Sequence, residues 1–340
     1  MRISIAMATY NGEKYIGEQL KSLVDQIHHP TELVVGDDGS TDETIKILEE
    51  FKTRAPFPVY IHRNEFNLGY ARNFLVTAKR CTGDWIAFCD QDDVWLPNKL
   101  SETAKAIESA ADACMVLQNA FLCDSALKLR ETKFPRSLDT GIHGRGKQYG
   151  FWVWPGFLKT VSKDMIDLYL DEPLPKSWYP KEMELTHDKW TCVIANALGG
   201  ITILGTPVCL YRRHEATVTG NYDRKSISER VAKSRGVTGD DYAFLAEVAV
   251  ECANYMKNLA MRTDKPTWKS AFNDNAQEFY HLSEIQELRG KLYLAERFRE
   301  RLNEFVKIMI KGGYVGQPFY AMGIRSALKD GLRVVVGPRI

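Results

Sequence analysis

The sequence has no long apolar run, no strong net charge and no patterned set of cysteines, and each absence excludes a class of protein. No stretch approaches the roughly 18 apolar residues of a membrane-spanning helix, and the opening MRISIAMATYNG has too short an apolar run for a signal peptide. A net charge of +1 provides no global field that would attract nucleic acid. Seven scattered cysteines predict reduced thiols in a cytoplasm and not a disulfide framework.

Glycine-rich phosphate loops are missing from the places where two classes of nucleotide-binding enzyme need them. No G-x-G-x-x-G follows a strand-like segment, which argues against a Rossmann oxidoreductase. The stretch MATYNGEKYIG has no glycine-rich loop with a nearby arginine and lysine, which argues against a nucleotidylyltransferase. What remains is ordinary globular composition, 44% hydrophobic and 26% charged, in a chain long enough for one large domain or two modest ones.

The first 125 residues alternate strand and helix patterns. Strands are predicted over 2–8, 32–40, 59–64, 84–90 and 114–124, with helices over 13–27, 42–53 and 69–80. Thr41 is predicted to cap the second helix, and Pro97 to lie in the first turn of the helix after the fourth strand. This α/β alternation predicts a single Rossmann-like, mostly parallel sheet flanked by helices, with ligands at the carboxyl ends of its strands.

The rest of the chain is less regular at first and then helical. A helix closed by glycines is predicted over 185–200, followed by a strand, a turn and a second strand within 201–220. From about residue 223 the pattern predicts helices, including one over 288–310 that Gly312 and Gly313 end.

Three carboxylates follow the fourth predicted strand within the stretch FCDQDDVW. Residues two apart in an extended segment point the same way, so Asp90 and Asp92 can face one site. Oxygen ligands at that spacing suit Mg²⁺ or Mn²⁺, which would take further ligands from a substrate diphosphate. A solvated acidic loop is an equally good interpretation of this stretch taken alone.

Polar side chains follow the other strands as well, and each has a structural alternative. In GDDGST, Asp37 or Asp38 can accept a hydrogen bond from a nucleobase imide or a ribose hydroxyl, or can serve a helix cap and a glycine turn. Thr9 and Asn11 of ATYNG, taken alone, favour a turn. Arg72 can bind a phosphate in a bidentate manner, although alone it is typical of a surface arginine.

Two later motifs, THDKW and LYRRHEATVTG, add further candidates. Asp188 can be a general base or an acid that interacts with the helix dipole. His214, which follows a strand together with Arg212, can be a third metal ligand or a satisfied structural residue. No single motif decides between these alternatives, but their order does, because acids and an arginine follow consecutive strands before the later acid and histidine.

In this order the motifs resemble those of the inverting family 2 nucleotide-sugar glycosyltransferases, which have the GT-A fold. The resemblance covers about residues 1–220, through ATYNG, VVGDDGSTDET, NLGYARN, FCDQDDVWLPNKL, HDKW and YRRH. It is most similar to bacterial rhamnosyltransferases in the forms CDQDDVW and HDxW…YRxH. It implies a GT-A domain over 1–220, with a nucleotide-sugar-binding half (1–125) and an acceptor and catalytic half (126–220). An α-helical C-terminal extension would follow over 221–340.

The resemblance also implies a role for each motif residue. Asp38 would bind the uracil or thymine imide of the donor, Asp92 and His214 would hold Mn²⁺ or Mg²⁺, and Asp188 would be the catalytic base. The donor-binding residues that it implies are Ala8, Thr9, Asn11, Asp38, Asn67, Arg72, Asp90 and Arg212. The acceptor loop of many relatives contains small residues where this chain has VWPGFLKTVS, so Trp152 or Trp154 is expected to stack on an acceptor sugar instead.

These roles imply metal-dependent, inverting transfer of a sugar from a UDP- or dTDP-sugar, dTDP-rhamnose among them. The acceptor would be a glycan or a lipid-linked glycan in bacterial cell-surface polysaccharide synthesis. The alternatives are a nucleotidylyltransferase, which lacks its loop here, and a catalytically inactive sugar-nucleotide-binding or scaffold protein. Retention of both Asp92 and Asp188 argues against the inactive protein.

The C-terminal region combines basic with apolar residues. After Phe305 there are six lysines and arginines against the single acid Asp330, with interleaved aromatic and aliphatic residues. The basic residues are Lys307, Lys311, Arg325, Lys329, Arg333 and Arg339. Such a mixture can lie on an anionic membrane surface, which would place the protein in the cytoplasm at the inner face of the plasma membrane. A packing helix with a solvated basic face is the alternative.

Overall fold

A computed structural model describes residues 1–110, 112–134, 140–169, 172–181, 183–215 and 236–337. Its strands are β1 (Ile3–Thr9), β2 (Glu32–Asp37), β3 (Val59–Arg63), β4 (Trp85–Cys89), β5 (Val94–Trp95), β6 (Met115–Cys123), β7 (Leu129–Phe134), β8 (Gly141–His143), β9 (Lys159–Ser162) and β10 (Ile201–Arg212). Its helices are α1 (Ile16–Val24), α2 (Thr44–Lys52), α3 (Tyr70–Arg80), α4 (Lys99–Glu108), α5 (Lys163–Asp167), α6 (His187–Leu198), α7 (Gly239–Arg262), α8 (Pro266–Leu294), α9 (Phe298–Ile310) and α10 (Ile324–Val336).

The strands form one mixed sheet in the order β3-β2-β1-β4-β9-β6-β10-β5, with β7 beside β6 and β8 beside β10. The predicted parallel arrangement holds for β3, β2, β1 and β4. Beyond β4 the expectation of a mostly parallel sheet is wrong, because β9 runs antiparallel between β4 and β6. Only the β6–β10 pair is parallel in that half of the described sheet.

The parallel half places the strand ends that matter for function. The side chains of β1, β2 and β4 are buried throughout, as expected for strands covered by helices on both faces. In register, Thr9 lies beside Asp37, and Met7 lies beside Cys89. Because these strands run in the same direction, their carboxyl ends and the polar loops that follow meet at one edge of the sheet.

Local chemistry shifts two predicted helix starts. Thr41 does not cap α2, because the helix begins at Thr44 and the Asp42 carboxylate accepts the Thr44 N–H at 3.0 Å. Pro97 likewise precedes α4, which begins at Lys99.

Two longer segments also differ from their predicted patterns. The segment predicted as strand, turn and strand is the single strand β10, whose pairing with β6 is irregular on both sides of Pro207. Proline has no N–H for the ladder, so the pairing is interrupted while the chain stays extended. The helix predicted over 288–310 is divided, since α8 ends at Leu294 and α9 begins at Phe298.

The helical extension packs against the sheet domain. One hydrophobic core contains residues of both, including Ile194 of α6, Cys252 of α7 and Phe279 of α8. Trp190 Nε1 donates to Tyr255 Oη at 2.9 Å across the same contact. The predicted boundary between residues 220 and 221 falls outside the described residues and stays a prediction. None of the described helices has both the length and the apolar character needed to cross a membrane.

All seven cysteines are free thiols buried within these elements. Burial raises the pKa of Cys114 to about 12 and that of Cys123 to about 11.

Candidate active site at the carboxyl edge of the sheet

One side chain joins the loops after β1 and β4. Gln91 Oε1 accepts the Tyr10 N–H, and Gln91 Nε2 donates to the Tyr10 carbonyl, each at 3.0 Å. A Cβ at Gly12 would lie 2.3 Å from Gln91 Oε1, so glycine leaves the space that this contact needs. The pairing holds the segment from Asp90 to Asp92 beside the first loop of the fold.

Asp37, the last residue of β2, is a structural residue. Its fully buried carboxylate accepts from Thr9 Oγ1 at 3.0 Å and from the N–H groups of Gly39 and Ser40 at 3.1 and 2.9 Å. The Thr9 hydroxyl therefore donates its hydrogen bond to the last residue of β2, and the neighbouring Ala8 is buried. Asp37 thus stabilises the glycine turn. From the sequence, either Asp37 or Asp38 could have had this structural role.

Asp38 is held differently and keeps one oxygen available. Its Oδ1 accepts from Asn64 Nδ2 at 2.7 Å and from the Leu68 N–H at 3.1 Å. Asn67 Nδ2 donates to the Asp38 carbonyl at 3.1 Å, so Asn67 orders the Asp38 backbone. No described residue donates to Asp38 Oδ2. The carboxylate is thus fixed in orientation by β3 and its loop, with one acceptor atom uncommitted.

Asn11 and Arg72 flank this region from two loops. Asn11 has a φ of 48°, and its Oδ1 accepts the Thr41 N–H at 2.9 Å, which makes it a link between the first two loops. Arg72 lies exposed in the first turn of α3.

The ends of β4 and β10 meet through Asp92 and His214. His214 Nε2 lies 2.8 Å from Asp92 Oδ2, and both side chains are partly exposed, 12% for His214 and 22% for Asp92. The Tyr15 ring lies 4.6 Å from the imidazole, centroid to centroid. The structure therefore brings together the two residues expected to bind metal.

The Arg212 guanidinium makes several hydrogen bonds within the protein. Its side chain is 2% exposed, and it donates to the Asp92 carbonyl at 2.7 Å, to the Ser125 carbonyl at 2.8 Å and to the Glu18 carboxylate. The guanidinium also stacks on Tyr15 at 4.5 Å. With these partners the guanidinium has little free surface, and its expected role in donor binding stays a prediction. In this structure Arg212 positions the segment that contains Asp92.

Asp188 lies in the first turn of α6. Its Oδ1 accepts from Thr186 Oγ1 and from the Lys189 N–H, and no described residue donates to Oδ2. Burial pushes the pKa of Asp188 upward, but His187, the Lys159 ammonium and the Thr186 hydrogen bond outweigh it and lower the pKa below its usual range. The group is therefore ionised at neutral pH, as a base must be.

Asp90 is close enough to Asp188 for their charges to interact. Burial, Asp92 and Asp188 together raise the pKa of Asp90 to about 8. Burial and the charges of Asp188 and Asp90 also raise the pKa of Tyr70, at the start of α3. The expected base and the Asp-x-Asp segment thus belong to one electrostatic site, in which a bound cation would favour the ionised form of Asp90.

His187 was not singled out by the sequence. It is buried against Phe74, with ring centroids 4.3 Å apart, and near Phe88 at 5.3 Å and Tyr70 at 6.2 Å. Neither ring nitrogen has a hydrogen-bond partner among the described residues. Burial lowers the pKa of His187 to about 4, so it is a neutral ring beneath the base.

Two buried lysines were also missed. Lys99 Nζ donates to Gln118 Oε1 at 2.8 Å, and Lys159 Nζ donates to Thr191 Oγ1 at 3.0 Å and to the Asp188 carbonyl. Burial lowers the pKa of Lys99. A lysine within an apolar run, as in GFLKTVS, is the signal that could have identified Lys159.

The two tryptophans proposed for acceptor binding differ in accessibility. Trp154 is 7% exposed and donates from Nε1 to the Gln118 carbonyl at 3.3 Å, so it is a core residue and lacks a free ring face for a sugar. Trp152 is half-buried, with its ring 5.9 Å from that of Trp154.

The residues present fit a metal that takes part of its coordination from a ligand. Among the described residues, no group of three or more histidines, cysteines or acids is arranged to hold a metal ion. Asp92 and His214 supply one carboxylate and one imidazole, and Asp90 adds a nearby carboxyl group. Such a set suits Mn²⁺ or Mg²⁺ completed by phosphate oxygens.

Comparison with known proteins gives a sequence family that matches the N-terminal part of the chain. The sequence model "Glycosyl transferase family 2" matches residues 4–162, which contain β1 to β9 and the Asp-x-Asp segment. The N-terminal part of this chain is therefore similar to glycosyl transferase family 2. The family 2 region aligns with the dTDP-rhamnosyl transferase RfbG of Shigella flexneri, 40% identical over 119 residues, or 34% of this chain and 38% of that protein.

Other relatives extend the comparison. The abequosyltransferase RfbV of Salmonella typhimurium is 31% identical over 126 residues, 36% of each chain. The matches thus span under two fifths of the length of these two curated relatives. The S. aureus TarS 1–349 structure in complex with UDP-GlcNAc has a TM-score of 0.54 and 18% identity, covering 92% of this chain and 81% of that one. This likeness shows that the chain has the GT-A fold with a helical C-terminal region.

Proposed function

We propose that this protein is an inverting, metal-dependent glycosyltransferase that moves a sugar from a UDP- or dTDP-sugar to a glycan or lipid-linked glycan. The observation that carries the proposal is the contact of His187 with Phe88 at 5.3 Å, which places the start of α6, with Asp188, against the end of β4 that leads to Asp90 and to the Asp92–His214 pair. A base and a cation site then share one edge of the sheet, in a family 2 domain.

The nucleobase is proposed to bind at Asp38. Its Oδ2 can accept the imide N–H of uracil or thymine, while Asn64 and Leu68 hold Oδ1. Adenine presents no imide N–H, so an adenine nucleotide would match this acceptor poorly. TarS has been solved with UDP and with UDP-GlcNAc, which supports the same class of donor here. The likeness to a dTDP-rhamnosyl transferase supports dTDP-rhamnose as one donor to test.

The acceptor hydroxyl is proposed to lose its proton to Asp188 Oδ2. Oδ1 is held by Thr186 and the Lys189 N–H, so the carboxylate keeps its orientation as it takes up the proton. The hydroxyl oxygen forms the new bond to the anomeric carbon as the bond to the diphosphate breaks on the opposite face, which inverts the configuration. Mn²⁺ or Mg²⁺, held by Asp92 and His214, would neutralise the charge on the leaving diphosphate.

The setting that fits this chemistry is bacterial cell-surface polysaccharide synthesis in the cytoplasm. Two of the relatives are named for transfer of deoxysugars, rhamnose and abequose. Trp152 is proposed to contact the acceptor, since it is the accessible member of the tryptophan pair.

A donor screen tests the proposal. Purified protein with Mn²⁺ or Mg²⁺ is incubated with UDP-, dTDP- and GDP-sugars and a panel of acceptors, and released nucleotide is measured. Release should require a uridine or thymidine donor and should stop in excess chelator. Asp188→Asn should lower transfer by about a hundredfold or more, the usual scale of general-base catalysis.

Asp164→Asn is the matched control, because Asp164 is an exposed acid paired with Lys265. It should transfer at the parental rate. Full activity in chelator, or parental turnover by Asp188→Asn, would contradict the mechanism.

A further inference from the structure

Helix α10 leaves its apolar side uncovered. Ile324, Leu328, Leu332 and Val335 recur at helical spacing on one face and are 70%, 70%, 59% and 72% exposed. The opposite side of the helix is buried through Asp330 and Val334. The packing helix considered from the sequence is therefore present, but its aliphatic stripe does not take part in the packing.

Helix α9 repeats the same arrangement. Phe298, Leu302, Val306 and Met309 have the same spacing and are between 41% and 56% exposed. Its buried side is formed by Arg301 and Ile308.

The two stripes lie on the same side of the helix pair. Arg301 Nε donates to the Val334 carbonyl at 3.0 Å, and the Phe305 ring lies 3.7 Å from where a Cβ of Gly331 would be. The later residue on α9 contacts the earlier one on α10, so the helices are antiparallel. On each helix, the exposed apolar residues come one position after the residues that contact the other helix, as Leu302 does after Arg301 and Leu332 after Gly331. In an antiparallel pair, this offset turns both stripes toward the same side. The stripes therefore adjoin as one apolar surface, here named the twin-helix face.

Basic residues border the twin-helix face. Arg325 is exposed next to the α10 stripe, and Lys307 and Lys311 are exposed at the end of α9, where they pair with Glu304 and Glu284. The last 34 residues carry six basic residues and one acid, Asp330, whereas the preceding 306 carry a net charge of −4. Asp330 is itself buried against Arg289. Residues 297–337, which contain both helices, carry eight lysines and arginines against three acids, so positive charge is concentrated around this apolar surface in a nearly neutral chain.

We propose that the twin-helix face docks on an anionic membrane surface. Exposed aliphatic side chains would enter the headgroup boundary while Arg325, Lys307 and Lys311 contact anionic headgroups. A second copy of the chain is a poorer partner, because a symmetric pairing of this face would bring its basic borders together. Docking does not depend on sugar transfer, so the proposed function can fail while this inference stands.

Vesicle co-sedimentation of the full chain tests the proposal. Vesicles of phosphatidylcholine with about 30% phosphatidylglycerol are compared with pure phosphatidylcholine at low and high salt. The protein should sediment with the anionic vesicles, less so at high salt and little with neutral vesicles. The double variant Leu328→Ser with Leu332→Ser should reduce binding by about tenfold or more, and Arg325→Glu should also reduce it.

The control removes equally exposed apolar residues elsewhere. Ile27 and Met261 are 71% and 74% exposed and lie outside the face, so Ile27→Ser with Met261→Ser should bind like the parent. Circular dichroism checks that every variant is folded.

Three results would overturn the proposal: no sedimentation of the parent chain, parental binding by the folded double variant, or equal binding to neutral vesicles. If sedimentation velocity finds a parental dimer that the double variant dissociates, and neither chain binds vesicles, the face is an interface between copies.

Discussion

Asp37 and Asp38 show how two adjacent carboxylates acquire different roles from their partners. Asp37 accepts hydrogen bonds at both oxygens from the end of β1 and from its own turn. The Asp38 carboxylate accepts both of its hydrogen bonds at Oδ1, from Asn64 Nδ2 and from the Leu68 N–H. Removing Asp37 would disturb the turn, whereas Asp38 Oδ2 can be tested for ligand binding without loss of those contacts.

Asp38→Asn should weaken UDP or dTDP binding by roughly tenfold or more, since a hydrogen bond to a charged group contributes about 1.5–3 kcal/mol. The amide keeps the shape but carries no charge and donates from one of its two positions. Calorimetry with metal present measures the change, and Asp25→Asn, at an exposed position just after α1, serves as the control. Tighter binding of ADP than of UDP by the parent would count against this role.

At the scale of elements, one buried ion pair fastens α10 to α8. Arg289 donates to both oxygens of Asp330, at 2.6 and 3.0 Å, and the hydroxyls of Tyr293 and Tyr314 donate to the same carboxylate at 2.9 Å each. Asp330 is fully buried. Although burial alone would lower the pKa of Arg289, its contact with Asp330 raises it overall. All of these donors bind one carboxylate, and we call Asp330 with its three partners the clamp. Loss of the carboxylate would leave all three partners without their acceptor.

Asp330→Asn should destabilise the helical extension by about 3–5 kcal/mol, because it leaves a buried guanidinium without its counter-charge. Urea unfolding followed by circular dichroism measures this. Glu172→Gln breaks the exposed pair between Glu172 and Arg262 and should change the free energy of unfolding by less than about 1 kcal/mol. Equal effects of the two substitutions would show that the clamp does not hold α10.

At the scale of the whole molecule, the regular half of the sheet was predictable and the irregular half was not. Local alternation of apolar runs with amphipathic helices predicted β1 to β4 and the helices between them, because each of these elements has a pattern of its own in the local sequence. The insertion of β9 between β4 and β6 joins segments far apart in the chain, and no local pattern encodes such a pairing.

The candidate site was also predictable from the sequence only in part. The family resemblance predicted a site that contains Asp38, Asp92, Asp188 and His214, and the structure pairs Asp92 with His214. The resemblance could not show that Arg212 is buried and occupied by Glu18 and two carbonyls, because those partners lie far away in sequence. The same holds for Trp154, since the exposure of a tryptophan depends on packing that its own motif does not contain.

The seven buried thiols can report when each part of the folded chain opens. No cysteine is exposed, so an alkylating reagent can react only when a segment opens, and the raised thiol pKa values slow attack further. Cys252 lies on α7 in the helical extension, and the other six lie in the sheet domain. Mass spectrometry of the labelled peptides at successive times would therefore measure the opening rate of each region separately. If the extension detaches before the sheet opens, Cys252 is modified first, and if they share one cooperative core, all seven are modified at a common rate.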